Sequence, residues 1–321
     1  MNTSRRTMLA GAALLAAPAI ARAQSFPSRP IELIVAFGAG GGTDIGARSV
    51  ARFIEKHLGG GARVGVVNRP GAGGEVGWTA VAQARPDGYT IGFINAPAII
   101  AMTVEKQTRF SIDSYDAIGN LVTDPNVLLV HKDSAMKSLG DVVAFAKANP
   151  GAFTIGTSGA PGNSEHLALL VMQRRAEIRF NHAPFGGSAP LKTALLGRHV
   201  PAATLGLSEV IQDAREGNIR VLGLMAEERH RWLPDLPTFR EQGVDLLASS
   251  SRGIVAPKGV PAPILAQLRD AFAKAVADPE YKDAAERAMI PVDYRDPAQH
   301  EAMLRQMHAD LSAVWQATPW R

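Results

Sequence analysis

The sequence predicts an α/β protein of two domains. Three observations carry this reading: a length of 321 residues, a strand, glycine-loop and helix grammar that occurs three times, and an apolar fraction of 46% with no cysteine. At about 150 residues per domain the length suggests roughly two domains, each able to bury its own core. The absence of cysteine excludes a disulfide scaffold and a zinc-thiolate protein, and the apolar content excludes a disordered polyampholyte.

In chain order, residues 1–23 read as a removable export signal. Arg5, Arg6 and Arg22 are their only charged residues, the apolar run from Met8 to Ala21 spans 14 residues, and Ala21-Arg22-Ala23 is an A-x-A cleavage pattern ahead of Gln24. A run of that length is short of the roughly 20 residues that cross a bilayer as a helix. Ser4-Arg5-Arg6-Thr7-Met8-Leu9 is similar to a twin-arginine signal, with an ordinary secretory signal carrying two neighbouring arginines as the alternative. Both place the product outside the cytoplasm, in the periplasm. Cleavage removes three arginines and lowers the formal charge from +4 to +1, so the sequence pI of 9.5 says little about partners.

The run Ile31 to Phe37 is a buried strand, followed by Gly38-Ala39-Gly40-Gly41-Gly42-Thr43-Asp44 and a helical pattern through Leu58. The same order returns at Arg63–Asn68 with Gly71-Ala72-Gly73-Gly74, and at Phe153–Thr157 with Ser158-Gly159-Ala160-Pro161-Gly162-Asn163-Ser164. Such alternation implies a parallel sheet. The stretch before Ser138, including Val127-Leu128-Leu129-Val130, carries the chain between domains, and Ala248–Ala256 makes the return crossing. Ser138 and Asp141 form a capping box for a helix that ends before Pro150-Gly151. In the tail, Ile264, Leu268, Phe272 and Val276 recur at four-residue spacing, and Met303, Leu304, Met307, Leu311, Val314 and Trp315 mark a last amphipathic helix. These stripes read as core.

A glycine loop that opens a helix presents backbone N–H groups and the positive end of the helix dipole, so it can hold a phosphate or carboxylate; the same glycines can also simply make tight turns. Nucleotide motifs fail: Thr43 stands where G-x-G-x-x-G needs glycine, and no Gly-Lys-Ser/Thr run occurs. Gly156-Thr157-Ser158-Gly159-Ala160 approaches the G-x-S-x-G nucleophile elbow, but Ala160 breaks it and neither His166 nor His182 has a recognisable triad partner. The eight histidines show no H-E-x-x-H and no clustered carboxylates, so neither a metal nor a cofactor is expected. His166 falls in the first turn after Asn163-Ser164, with Ser164 a good N-cap, and faces either whatever the loop holds or solvent. Arg174-Arg175 and Arg229-His230-Arg231 are short and isolated, which argues against a nucleic-acid surface.

Ile34-Val35-Ala36-Phe37 with its glycine loop, Val67-Asn68-Arg69-Pro70-Gly71-Ala72-Gly73-Gly74 and Arg85-Pro86-Asp87-Gly88-Tyr89-Thr90 together resemble the Bug-type solute receptors of tripartite tricarboxylate transporters. Further motifs agree, in order, over essentially the whole mature chain: Ala146–Gly151, Thr157-Ser158-Gly159, Phe185-Gly186-Gly187-Ser188-Ala189-Pro190, Leu233–Thr238 and Ala256–Gly259. The resemblance implies a periplasmic binding protein of the Venus flytrap type, with a cleft between two α/β domains joined by two crossing strands. The expected domains are 24–123 with 252–321, and 124–251. A monomer is expected, delivering a small carboxylate to membrane permease subunits.

By the same resemblance the cleft is lined by Phe37, Ala39, Gly40, Gly41, Gly42, Thr43 and Asp44 from one domain, and by Thr157, Ser158, Gly159, Asn163, Ser164, His166, Gly187, Ser188 and Ala189 from the other. Two departures bear on the ligand. Six residues separate Gly159 from His166 where relatives commonly have five, and after Val200 the family's acids are replaced by Pro201-Ala202-Ala203-Thr204-Leu205. Arg252 stands on the return crossing, where it either pairs bidentately with a second carboxylate or faces outward. The resulting expectation is a dicarboxylate, or an aromatic acid near Phe37, rather than a zwitterion. A same-fold sensor for a signalling partner and an exported esterase using Ser158 are the alternatives.

Overall fold

A computed structural model describes residues 26–159, 161–317 and 319–320; the expected export signal at 1–23 lies outside them. The first half runs β1 (Ile31–Val35), α1 (Gly42–Leu58), β2 (Val64–Asn68), α2 (Glu75–Ala82), β3 (Thr90–Ala96), α3 (Ala98–Glu105) and the long β4 (Tyr115–His131). The second follows as α4 (Leu139–Ala148), β5 (Thr154–Thr157), α5 (Ser164–Ala176), β6 (Asn181–Pro184), α6 (Ser188–Leu196), β7 (Ala202–Gly206), α7 (Leu207–Arg215) and β8 (Ile219–Leu224). The chain then returns through β9 (Ser249–Pro257) to α8 (Ala262–Ala277), α9 (Pro279–Arg287), β10 (Val292–Arg295) and α10 (Pro297–Ala317).

Among the described residues the strands form one path, β2-β1-β3-β9-β4-β7-β5-β6, with β8 and β10 also pairing with β4. The parallel expectation holds for each flank, where β1 runs parallel to β2 and β3, and β5 to β6 and β7. It fails at the centre, where β9 is antiparallel to β3 and β4, and β4 is antiparallel to β7 and β8. The physical reason is that β4 and β9 are the outward and return crossings, and strands that cross in opposite senses pair antiparallel. Residues 115–125 of β4 pair with β9 while 126–131 pair with β7 and β8, so one strand belongs to both halves. The architecture is that of two α/β domains joined by two crossing strands.

Helices cover both faces of each flank, which is why the strands read as near-continuous apolar runs. Ile31, Leu33 and Val35 point into a core with Val50, Leu268 and Phe272, while Ile34 and Ala36 point to the opposite face with Trp78 and Ile100. The two-residue period separates Leu128 and Val130 from Val127 and Leu129 in the same way in the second half. Each fully buried side chain of this kind contributes about 1.5–3 kcal/mol. The first tail stripe is core as expected: Leu268, Phe272 and Val276 are buried, with Ile264 packed against them. The second is not: on α10 Leu304, Met307 and Leu311 are only partly buried against the core and Val314 is exposed, because this last helix packs on the outside of the domain with one face to solvent. The capping box of α4 is formed, Ser138 Oγ accepting from Asp141 N–H at 3.1 Å and Asp141 Oδ2 from Ser138 N–H at 2.9 Å.

Candidate functional site

A cleft of 780 Å³ opens between the two halves, within the size range of small-molecule sites. Its first wall is the loop between β1 and α1. Gly40 adopts φ +83°, which a side chain disfavours, and this bend turns the loop into the first turn of α1. Asp44 braces that bend from behind. Its carboxylate accepts from Gly40 N–H at 2.9 Å, Arg48 Nε at 3.0 Å and Asn68 Nδ2 at 2.9 Å, and Asn68 also donates to the Phe37 carbonyl at 2.9 Å. Burial works against the charge on Asp44, but the bonds from Arg48, Gly40 and Asn68 outweigh it and hold the carboxyl below its ordinary value. Phe37 is held edge-on to Trp78, with ring centroids 5.7 Å apart.

The second wall is the turn between β5 and α5. Ser158 donates through both its N–H and its hydroxyl to Glu165, the hydroxyl bond being 2.6 Å long. Glu165 is 5% exposed, and burial together with the nearby charge of Glu209 pushes its carboxyl up to about 8 despite the bonds from Ser158 and Asn163. Asn163 caps α5 by accepting from His166 N–H at 2.8 Å, so the cap lies one residue before the expected Ser164. The third wall is Phe185–Pro190, where α6 starts at Ser188 and the Ser188 hydroxyl donates to Glu209 Oε1 at 2.7 Å.

At the floor, Arg252 on β9 is 5% exposed and donates through Nη1 to Asp124 Oδ2 on β4 at 3.3 Å. Asp124 is fully buried and also accepts from Ser208 N–H at 3.1 Å and the Ser208 hydroxyl at 2.6 Å. Burial raises its carboxyl, with Arg252 opposing and Glu209 adding to the rise. Gly42 lies against Arg252 and Glu209. A Cβ there would sit 2.9 Å from Glu209 Oε1 and 3.0 Å from Arg252 Nη2, and the Gly42 N–H donates to Glu209 Oε1 at 3.3 Å across the cleft.

Fourteen of the residues expected at the cleft line it: Phe37, Ala39, Gly40, Gly41, Gly42 and Thr43, then Ser158, Gly159, Asn163 and Ser164, then Gly187, Ser188 and Ala189, and Arg252. Asp44, Thr157 and His166 instead stand behind it, all buried. Thr157 Oγ1 shares a hydrogen bond of 2.7 Å with His182 Nε2. His166 takes neither expected orientation: its Nδ1 accepts from Gly162 N–H at 3.0 Å, its ring stacks 4.2 Å from that of His182, and burial pushes it down to about 4. The Ser158 hydroxyl therefore meets a carboxylate and not an imidazole, so the nucleophile–base contact of a serine hydrolase is not formed. Sequence reasoning missed Glu165 and Glu209. Glu209 carries only the signal of a helix-start acid after Gly206, and nothing in spacing brings it to Gly42, 167 residues away. The loop Gly71–Gly74, not among the residues expected at the cleft, also lines it, as do Asn95 and Ser250.

The described residues contain no group of three or more His, Cys, Asp or Glu placed to hold a metal, and no helix long and apolar enough to cross a membrane. Compared with known families, residues 46–317 match the model of the tripartite tricarboxylate transporter family receptor. The chain belongs to that family. The receptor is 34% identical over 289 residues to a UPF0065 protein from the gbd 5' region of Cupriavidus necator, covering 89% of this chain and 86% of that one. It is 33% identical over 276 residues to protein BugT of Bordetella pertussis, covering 84% and 83%. Among solved structures it matches the periplasmic binding protein BugD with TM-score 0.83 and 27% identity, over 92% of this chain and 99% of that one. It also matches MatC of Rhodopseudomonas palustris with bound malate, with TM-score 0.82 and 25% identity over 90% and 99%. A protein of the same organism with adipate matches with TM-score 0.83 and 25% identity over 91% and 97%.

Proposed function

We propose that this receptor captures a small carboxylate, a dicarboxylate or an aromatic acid being favoured, in its interdomain cleft in the periplasm, and delivers it to the membrane permease subunits of a tripartite tricarboxylate transporter. The observation that carries this reading is the meeting of three helix starts, those of α1, α5 and α6, around one cleft drawn from both halves. Helix starts favour anions, and a ligand touching both walls links closure to binding. The malate and adipate held by two neighbours are both dicarboxylates. Arg252 supports a second carboxylate through the edge of its guanidinium that Asp124 does not hold, and Phe37 supports an aromatic ring.

In this reading the domains are 24–123 with 252–321, and 124–251, and the Asp124–Arg252 ion pair bridges them on the crossing strands. Residues 1–23 act as the export signal, the mature receptor works as a monomer without a cofactor, and Ser158 is a binding group rather than a nucleophile. The test is thermal unfolding of the mature chain, stripped of carried-over ligand by unfolding and refolding, against mono-, di-, tricarboxylic and aromatic acids. At 100 times Kd a ligand of the folded state adds about 2.7 kcal/mol. A shift confined to one acid class is expected. No shift with any acid, for a correctly refolded chain, overturns the reading.

A further inference from the structure

Several donors that a ligand carboxylate would use are already bonded to the protein's own carboxylates. Glu209 Oε1 accepts from Gly42 N–H at the start of α1 and from the Ser188 hydroxyl at the start of α6, on opposite walls of the cleft. Its Oε2 accepts from Gly206 N–H at 3.1 Å, at the cap of its own helix, so the group is anchored at three points. Glu165 takes both donors of Ser158 in the same manner. The cleft wall carries Glu105, Glu209 and the mostly protonated Glu165 against Lys106 and Arg252. Each of these cations also has an acid beside it, Glu75 at 2.5 Å from Lys106 and Asp124 at 3.3 Å from Arg252. An unsubstituted dicarboxylate entering this space sets an anion near Glu209 with no proton to share. A hydroxyl or ammonium group on the ligand turns the same approach into a charge-assisted hydrogen bond.

We propose that Glu209 is a specificity-determining residue, selecting a carboxylate that also brings a hydrogen-bond donor, a hydroxyl or an ammonium group, to its carboxylate. This rests on the carboxylate reading above and deepens it. Matched acids test it by calorimetry on the stripped mature receptor: succinate, malate and aspartate; glutarate, 2-hydroxyglutarate and glutamate; benzoate, hydroxybenzoate and aminobenzoate. Within the series that binds, the substituted acid is expected to bind about ten-fold tighter than the unsubstituted one, or more. Hydroxyl against ammonium members show which donor is read.

In Glu209→Gln, checked for folding by its unliganded melt, the preference is expected to shrink several-fold towards unity. Equal or tighter binding of the unsubstituted acid to the unaltered receptor overturns the inference without any variant. A preference that survives Glu209→Gln unchanged overturns the role of Glu209. Absence of binding in all three series removes the carboxylate reading itself, and the inference with it.

Discussion

Glu165→Gln should remove a pH dependence of stability that the Glu165 carboxyl imposes on the unaltered chain. The Glu165 carboxyl is 5% exposed and is pushed up to about 8 from an ordinary value of 4.5, chiefly by burial and then by Glu209. Between those values the folded chain holds a proton that the unfolded chain has lost, so stability falls as pH rises, by about 1.4 kcal/mol per unit and about 5 kcal/mol over the whole window. Two buried histidines act in the opposite sense. His166 and His300 are lowered from 6.5 to about 4 by burial, so their contribution is full above 6.5 and is lost as pH falls towards 4. Above pH 6.5 the Glu165 slope therefore stands clear of them. Glutamine matches the protonated acid in shape and charge, with the Ser158 hydroxyl turned to accept, and has no proton to lose. Urea unfolding of both proteins from pH 5 to 8.5 should show the variant gaining on the unaltered chain by about 2 kcal/mol between pH 6.5 and 8. Parallel profiles across that interval would refute a neutral, buried Glu165.

Three further outcomes follow from the same geometry. Asp124→Ala leaves the Arg252 guanidinium buried without its carboxylate and should lose about 3–5 kcal/mol in urea unfolding, several times the effect of an exposed ion-pair deletion. Gly77→Ala should lose about 1–3 kcal/mol, since its Cβ would meet the Ala36 Cα at 2.6 Å and push α2 away from the end of β1; calorimetry should also show weaker ligand binding, because Phe37 follows directly. Arg252→Ala should lower affinity for dicarboxylates more than for monocarboxylates, and an unchanged ratio of the two would remove its role at the second carboxylate.

Where backbone forms the cleft wall, the sequence was an effective guide. Gly38 to Gly42 after an apolar strand, and Ser158 to Ser164 before a helix, named two of the three walls, because glycine runs and capping residues act locally and leave local marks. Crossing strands were legible for the same reason, as β4 contains the apolar run Val127–Val130 and β9 is a mixed apolar-polar stretch, both without helical period. What was not legible depends on side chains brought together over long separations. Asp44 and His166 sit in the right loops but turn inward, since Arg48 and Asn68 claim the first and Gly162 claims the second. The absence of acids after Val200 pointed away from a zwitterionic ligand, yet Glu209 reaches the cleft from the first turn of α7. Antiparallel pairing at the centre was missed because strand direction at a crossing is set by topology and not by composition.

The central claim is that one small acid is gripped between the loop Phe37–Thr43 and the helix starts at Ser158–Glu165 and Gly186–Ala189. A crystal structure of the mature receptor with the tightest-binding acid of the panel measures this directly. The account predicts ligand carboxylate oxygens within hydrogen-bond distance of groups on both walls, with Arg252 or Glu209 in contact with the remainder of the molecule. A ligand held by one half only, or bound outside the cleft, would contradict it.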